Sequence, residues 1–116
     1  MKLEKLYRKV VEIGIKNDLR GKEEIKKILR EENEKFKKLK DEEAEDYDQD
    51  RLFNPFSDTR VLNGGLNTEV RKLIVGIDMQ VGEILLTYLL NKDSEQKIDL
   101  IISHHPEGLA LAQLYD

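Results

Sequence analysis

Two adjacent histidines, His104 and His105, are the residues of this sequence best suited to chemistry. They follow the apolar run IDLIIS, precede Pro106, and are the only histidines in the sequence. Neutral imidazole binds Zn, Mn, Fe and Ni. Neighbouring strand residues point to opposite faces, so both rings can share a site only where the strand has ended, and Pro106 favours such an ending. The spacing is equally compatible with strand-end histidines that hydrogen-bond to carbonyl groups.

The second half of the sequence predicts the elements that position these histidines. Two near-continuous apolar runs predict strands over Leu73–Asp78 and Ile98–Ser103, and the helical spacing between them predicts a helix over Val81–Leu90. This order is typical of a βαβ unit in a parallel sheet, and hence of an α/β fold. Asp78 ends the first strand, so we expect it near the histidines, because ligands gather at the carboxyl ends of parallel strands.

The first half predicts two helices joined near Asn17 to Gly21. In the first helix, we expect an apolar stripe at helical spacing, with Tyr7 and Val11 flanking it; the stripe comprises Leu3, Leu6, Val10 and Ile13. The second helix is predicted over Lys22–Lys40, with Ile25 and Phe36 on its apolar face. Together they predict a helical hairpin whose apolar stripes pack on each other or on another part of the protein.

Between the halves lies an acidic stretch, residues 41–50, in which seven of ten side chains are carboxylates. We interpret it as a solvated helix end or linker and not as a metal cluster, because dense like charge repels itself. The loop that follows contains Gly64 and Gly65, where we expect a turn with at least one positive φ. We therefore divide the chain into residues 1–50, a helical hairpin with an acidic linker, and residues 51–116, which hold the βαβ unit.

The charge, the apolar runs and the cysteine content of the sequence exclude several classes of protein. The net charge of −4 does not favour nucleic acid as a partner. No apolar run approaches the ~18 residues that span a bilayer, and the charged N-terminus is not a signal peptide. The sequence has no cysteine, which excludes disulfides and thiolate metal sites. We expect a cytoplasmic protein. Because two strands do not form a stable parallel sheet alone, we also expect a homo-oligomer or part of a larger fold.

The segment DLIISHHPEG, residues 99–108, resembles the dinuclear-metal motif of the Nif-three-like family (NGG-one-interacting-factor-three-like, or GTP cyclohydrolase type-two-like). The resemblance covers roughly residues 52–116, including NPFSDTRVLNGG. It implies a metal-dependent hydrolase that acts on a phosphate-bearing or nucleotide-like small molecule. It also implies that His104 and His105 are ligands of two divalent metal ions, of which Zn, Mn, Fe and Ni are not distinguished. Asp58, Asp78 and Glu107 are candidates for the second shell or the substrate side.

The family's further ligands come later along the chain than Asp116, so the resemblance is to an N-terminal portion that we expect to be inactive alone. Two alternatives stay open. One is a non-catalytic scaffold or protein-interaction module. The other is a phosphoesterase with an Asp-His-His motif, in which an aspartate that binds metal stands where this sequence has Ser103, and a neutral hydroxyl is a poorer ligand.

Overall fold

The computed structural model describes residues 1–115 of the chain, so Asp116, the last residue of the predicted second part, lies outside the described residues. The fold is a mixture of helices and a small parallel sheet, which agrees with the predicted α/β class. In chain order the elements are α1 (Leu3–Asn17), α2 (Lys22–Lys38), α3 (Asp41–Glu45), a 3-10 helix (Gln49–Leu52), β1 (Leu73–Gly76), α4 (Val81–Lys92), β2 (Leu100–Ser103), α5 (Gly108–Ala112) and a second 3-10 helix (Gln113–Tyr115). Among the described residues, no helix combines the length and the apolar character needed to cross a membrane.

The predicted helical hairpin is confirmed, but the buried face of α1 is shifted from the expected stripe, of which only Leu3 is buried. Leu3, Tyr7 and Val11 are the buried residues of α1, whereas Val10 and Ile13 are 45% and 52% exposed. The cause is a layer of aromatic residues from the loop after the acidic stretch. Tyr7 meets the ring of Phe53 edge to face at 5.5 Å, and a side chain at Gly14 would collide with Phe56. Contact with this loop therefore determines which face of α1 is buried.

The predicted βαβ unit is confirmed as well. Strands β1 and β2 pair in parallel, from Leu73 opposite Leu100 to Gly76 opposite Ser103, and α4 connects them. Asn91, near the end of α4, fixes the entry to β2, because its amide accepts from Ile98 N at 2.7 Å and donates to Ile98 O at 3.0 Å. Each strand is two residues shorter than expected, although hydrogen bonds between the two chain segments continue past Gly76.

The loop before β1 supplies hydrogen-bond acceptors to the first turn of α1. The backbone N–H groups of Leu3 and Glu4 have no partner within the helix, and they donate to Thr68 O at 2.9 Å and Leu66 O at 3.0 Å. Lys2 and Glu69 form an isolated antiparallel bridge beside them. Gly64 has a φ of +95°, which confirms the expected turn, whereas Gly65 is not among the positive-φ residues. Residues 60–62 form no strand.

The acidic stretch is more than a solvated linker. Arg60, with 4% of its side chain exposed, lies 3.1 Å from Asp48 and 4.0 Å from Asp50. Tyr7 donates to Asp50 at 2.9 Å, and Asn54 donates to the Tyr7 hydroxyl at 2.8 Å. Burial raises the pKa of Tyr7. Two of the carboxylates, both half-buried, therefore belong to a polar cluster around the buried Arg60 that joins α1 to the loop after the acidic stretch.

Candidate metal site

The backbone of the two histidines is held at the carboxyl edge of the sheet. His104 N donates to Gly76 O and His105 N to Ile77 O, both at 2.9 Å, so the pairing of β1 and β2 reaches through the histidine pair. The hydroxyl of Ser103 lies 2.8 Å from His105 O and 3.2 Å from Ile77 O. These bonds fix the position from which both imidazole rings leave the sheet.

The two rings are neighbours on one exposed edge. Their centroids are 5.4 Å apart and their planes are tilted by 36°. His105 Nδ1 lies 2.8 Å from Asp78 Oδ1, and each of these two side chains keeps 55% of its surface exposed. The expectation that Asp78 would be within reach of the histidine pair is met, and the rings are neither fully buried nor separated by the sheet.

The contact between Asp78 and His105 has a chemical consequence. An ionised carboxylate only accepts hydrogen bonds, so a hydrogen bond to ionised Asp78 requires the tautomer of His105 in which Nδ1 carries the proton. In the neutral ring, the lone pair then lies on Nε2, which is free to act as a metal ligand or a base. A carboxylate that orients a histidine in this way is the usual outer partner of a metal-binding imidazole.

The other two candidates are not joined to the histidines. Asp58 is exposed, and its nearest polar partner is the hydroxyl of the adjacent Thr59 at 3.5 Å. Glu107 is half-buried and precedes the first residue of α5. No hydrogen bond or ion pair within residues 1–115 connects either carboxylate to His104 or His105, so their roles stay predictions.

The residues at this edge fit part of a metal site. Two imidazoles and one orienting carboxylate are of the right type for divalent transition metals. Within residues 1–115, however, no group of three or more His, Asp or Glu side chains is arranged to hold a metal ion. The fit is therefore to an incomplete set of ligands.

Sequence reasoning missed the part that Ser103 plays at this edge. In the sequence, Ser103 stands out only because it replaces a metal-binding aspartate, whereas in the structure its hydroxyl lies within hydrogen-bonding distance of two backbone carbonyls. Serine at a strand end is prone to local bonds of this kind, which was the available signal. Comparison with protein-family models, curated proteins and solved structures gives no match for this chain.

Proposed function

We propose that this chain is the N-terminal, metal-binding portion of a Nif-three-like protein, a metal-dependent hydrolase of phosphate-bearing or nucleotide-like small molecules. The observation that carries the proposal is the exposed pair of imidazoles at the carboxyl edge of β2, with Asp78 bonded to His105. The motif DLIISHHPEG supports the same assignment independently of the geometry.

In this proposal, His104 and His105 each hold one of two divalent metal ions through a ring nitrogen. Asp78 fixes the orientation and the tautomer of His105, and Ser103 restrains the backbone that carries both rings. When bound, the metals supply Lewis acidity that makes hydroxide available near neutral pH. The remaining ligands come from outside residues 1–115, either from later residues or from another chain.

A second candidate function, an interaction module without catalysis, is favoured by the exposed apolar side chains of α4, among them Val81 and Tyr88. In that case, the histidines bind no metal. The Asp-His-His phosphoesterase is disfavoured because the position of its aspartate is occupied by Ser103, whose hydroxyl faces backbone carbonyls.

The proposal predicts that the chain binds Zn²⁺ or Mn²⁺ weakly through its histidines, because residues 1–115 supply only part of the ligand set. Since the sequence has only two histidines, each imidazole gives its own NMR signal, which can be followed as metal is added. His104→Ala and His105→Ala should each weaken binding by at least about tenfold, and Asp78→Asn by about 10–100-fold because His105 loses its orienting partner.

The matched control is Glu95→Gln, which removes an exposed carboxylate before the amino end of β2 and should leave metal affinity unchanged. Circular dichroism establishes that each variant folds. If neither imidazole signal responds to metal in the unmodified chain, the metal proposal is wrong and the interaction module becomes the better assignment.

A further inference from the structure

Gly76 is the last residue of β1, and the side chain of Met79 fills the space that a side chain at Gly76 would occupy. A Cβ added at Gly76 would lie 2.6 Å from the Met79 sulfur and 3.9 Å from its terminal methyl carbon. Real Cβ atoms essentially never lie so close to another group, so this contact requires glycine. Glycine in a strand often marks a place where another group approaches closely. Here that group comes from the segment that follows the same strand.

Met79 holds the segment between β1 and α4 in place. It is 7% exposed, whereas its neighbours Asp78 and Gln80 are exposed. A methionine side chain is flexible and adapts to an irregular space, so its burial can fix a segment that has no regular structure. On the other side of Asp78, Ile77 O accepts a hydrogen bond from His105 N at 2.9 Å. The backbone at Asp78 is therefore held on both sides.

This packing determines where the Asp78 carboxylate lies. The side chain is 55% exposed, and its Oδ1 lies 2.8 Å from His105 Nδ1. An exposed side chain on an unrestrained segment loses conformational entropy when a single hydrogen bond holds it in one position. Because the next residue, Met79, is buried, the backbone that carries the carboxylate is already fixed by packing. The hydrogen bond to His105 then has fewer conformations to select from.

We propose that Met79 is a positioning residue of the histidine site. Packed on Gly76, it places the Asp78 carboxylate against His105 Nδ1 and so keeps the lone pair of that ring on Nε2. Met79 acts through Asp78, the residue before it in the chain. The use of this lone pair to bind metal rests on the proposed function, whereas the positioning of Asp78 does not.

The test is the tautomer of His105, read from the ¹⁵N chemical shifts of its ring nitrogens in the metal-free full chain, with His104→Ala assigning the signals. Spectra are recorded at about pH 9, where an ordinary histidine is neutral. The unmodified chain should carry the proton on Nδ1, and Asp78→Ala supplies the reference for an unrestrained ring. Met79→Ala should move both resonances at least halfway to that reference, although Asp78 is intact. Met79→Leu, which nearly conserves the side-chain volume, should keep them at their unmodified values.

Gly76→Ala tests the same contact from the other side, and it decides the question if Met79→Ala fails to fold. The added methyl group would collide with the Met79 sulfur and displace it, so the His105 resonances should move in the same direction as in Met79→Ala. In the double variant, the shortened side chain at position 79 leaves room for the methyl group, and the resonances should move no further. Such a double-mutant cycle isolates the contact between the two residues.

The matched control is Val11→Ala, which removes apolar volume from a position of α1 that is 3% exposed and should leave the His105 tautomer unchanged. It separates positioning from a general loss of stability. Resonances that stay at their unmodified values in Met79→Ala, or in Gly76→Ala where that variant decides, would overturn the proposal, as would an equal change in Val11→Ala. Imidazoles that do not respond to metal would overturn the proposed function but not this inference, because every spectrum here is of metal-free protein.

Discussion

At the scale of single residues, Glu32 is a carboxylate of α2 with little exposed surface and three polar partners. It is 8% exposed, accepts a hydrogen bond from the Tyr47 hydroxyl, and lies 2.9 Å from Lys35 Nζ and 3.2 Å from Arg51 Nε. Burial acts to raise the pKa of Glu32, but the hydrogen bonds from Tyr47 and Lys35 and the charges of Arg51 and Lys35 hold it below 4.5. The ionised carboxylate in turn disfavours ionisation of its tyrosine partner.

We therefore expect Tyr47 to ionise with a pKa of about 12, against 10.0 for an ordinary tyrosine, because of burial and its hydrogen bond to Glu32. The measurement is the ultraviolet absorbance of tyrosinate during titration, with Tyr47→Phe identifying the signal. Glu32→Gln should move this pKa back toward 10.0. Since the folded pKa is raised, the free energy of unfolding should fall as the pH rises from about 10 to about 12. An unchanged Tyr47 pKa in Glu32→Gln would contradict this account.

At the scale of elements, the first turn of α1 depends on a loop more than sixty residues later in the sequence. No side chain caps the helix at Lys2, and the N–H groups of Leu3 and Glu4 are satisfied by carbonyl groups of residues 66 and 68. The turn at Gly64 lies directly before the segment that supplies these carbonyls. The conformation of this glycine therefore affects the start of a distant helix.

We expect Gly64→Ala to lower the free energy of unfolding by about 1–2 kcal/mol, because an L side chain at a φ of +95° is strained. The neighbouring Gly65 is the matched control, since an added Cβ there would meet its nearest atom only at 3.9 Å. Gly65→Ala should leave stability unchanged or raise it by about 0.4–1 kcal/mol. Urea unfolding measures both, and equal losses in the two variants would show that the backbone conformation is not the cause.

At the scale of the whole molecule, burial is concentrated in the helical hairpin and the loop that crosses it. The buried apolar residues of this part are Leu3, Tyr7, Val11, Ile25 and Val70, whereas the βαβ unit and α5 supply Met79 and Ala110. Most of the stability of a single chain should therefore come from the hairpin and the loop that crosses it.

Accordingly, Ile25→Ala should lower the free energy of unfolding by about 2–5 kcal/mol, because the side chain is 1% exposed and its removal leaves a cavity. Val10→Ala, in the same hairpin but 45% exposed, should change it by no more than about 0.5 kcal/mol. Denaturant unfolding at one protein concentration compares the two. A small effect at Ile25 would mean that the hairpin is not where the stability of the chain resides.

The elements of this protein could be predicted from the sequence because their signals are local. Helical spacing predicted α1, α2 and α4, and the two apolar runs predicted β1 and β2 in parallel pairing. The strand order predicted that both histidines lie at the carboxyl edge of the sheet with Asp78 nearby, which the structure has. The backbone pairing continues through His105, so the chain leaves the sheet only after the pair.

Tertiary structure alone decided which of several equivalent side chains became buried. The stripe of α1 that packs is set by Phe53 and Phe56, and two carboxylates of the acidic stretch became structural because Arg60, which faces them, is buried. Asp58 and Glu107 had the same chemical type as Asp78, but only Asp78 has its carboxylate within hydrogen-bonding distance of a histidine in the described residues. Contacts between residues distant in sequence depend on how whole elements pack, and the local spacing of apolar residues does not determine that packing.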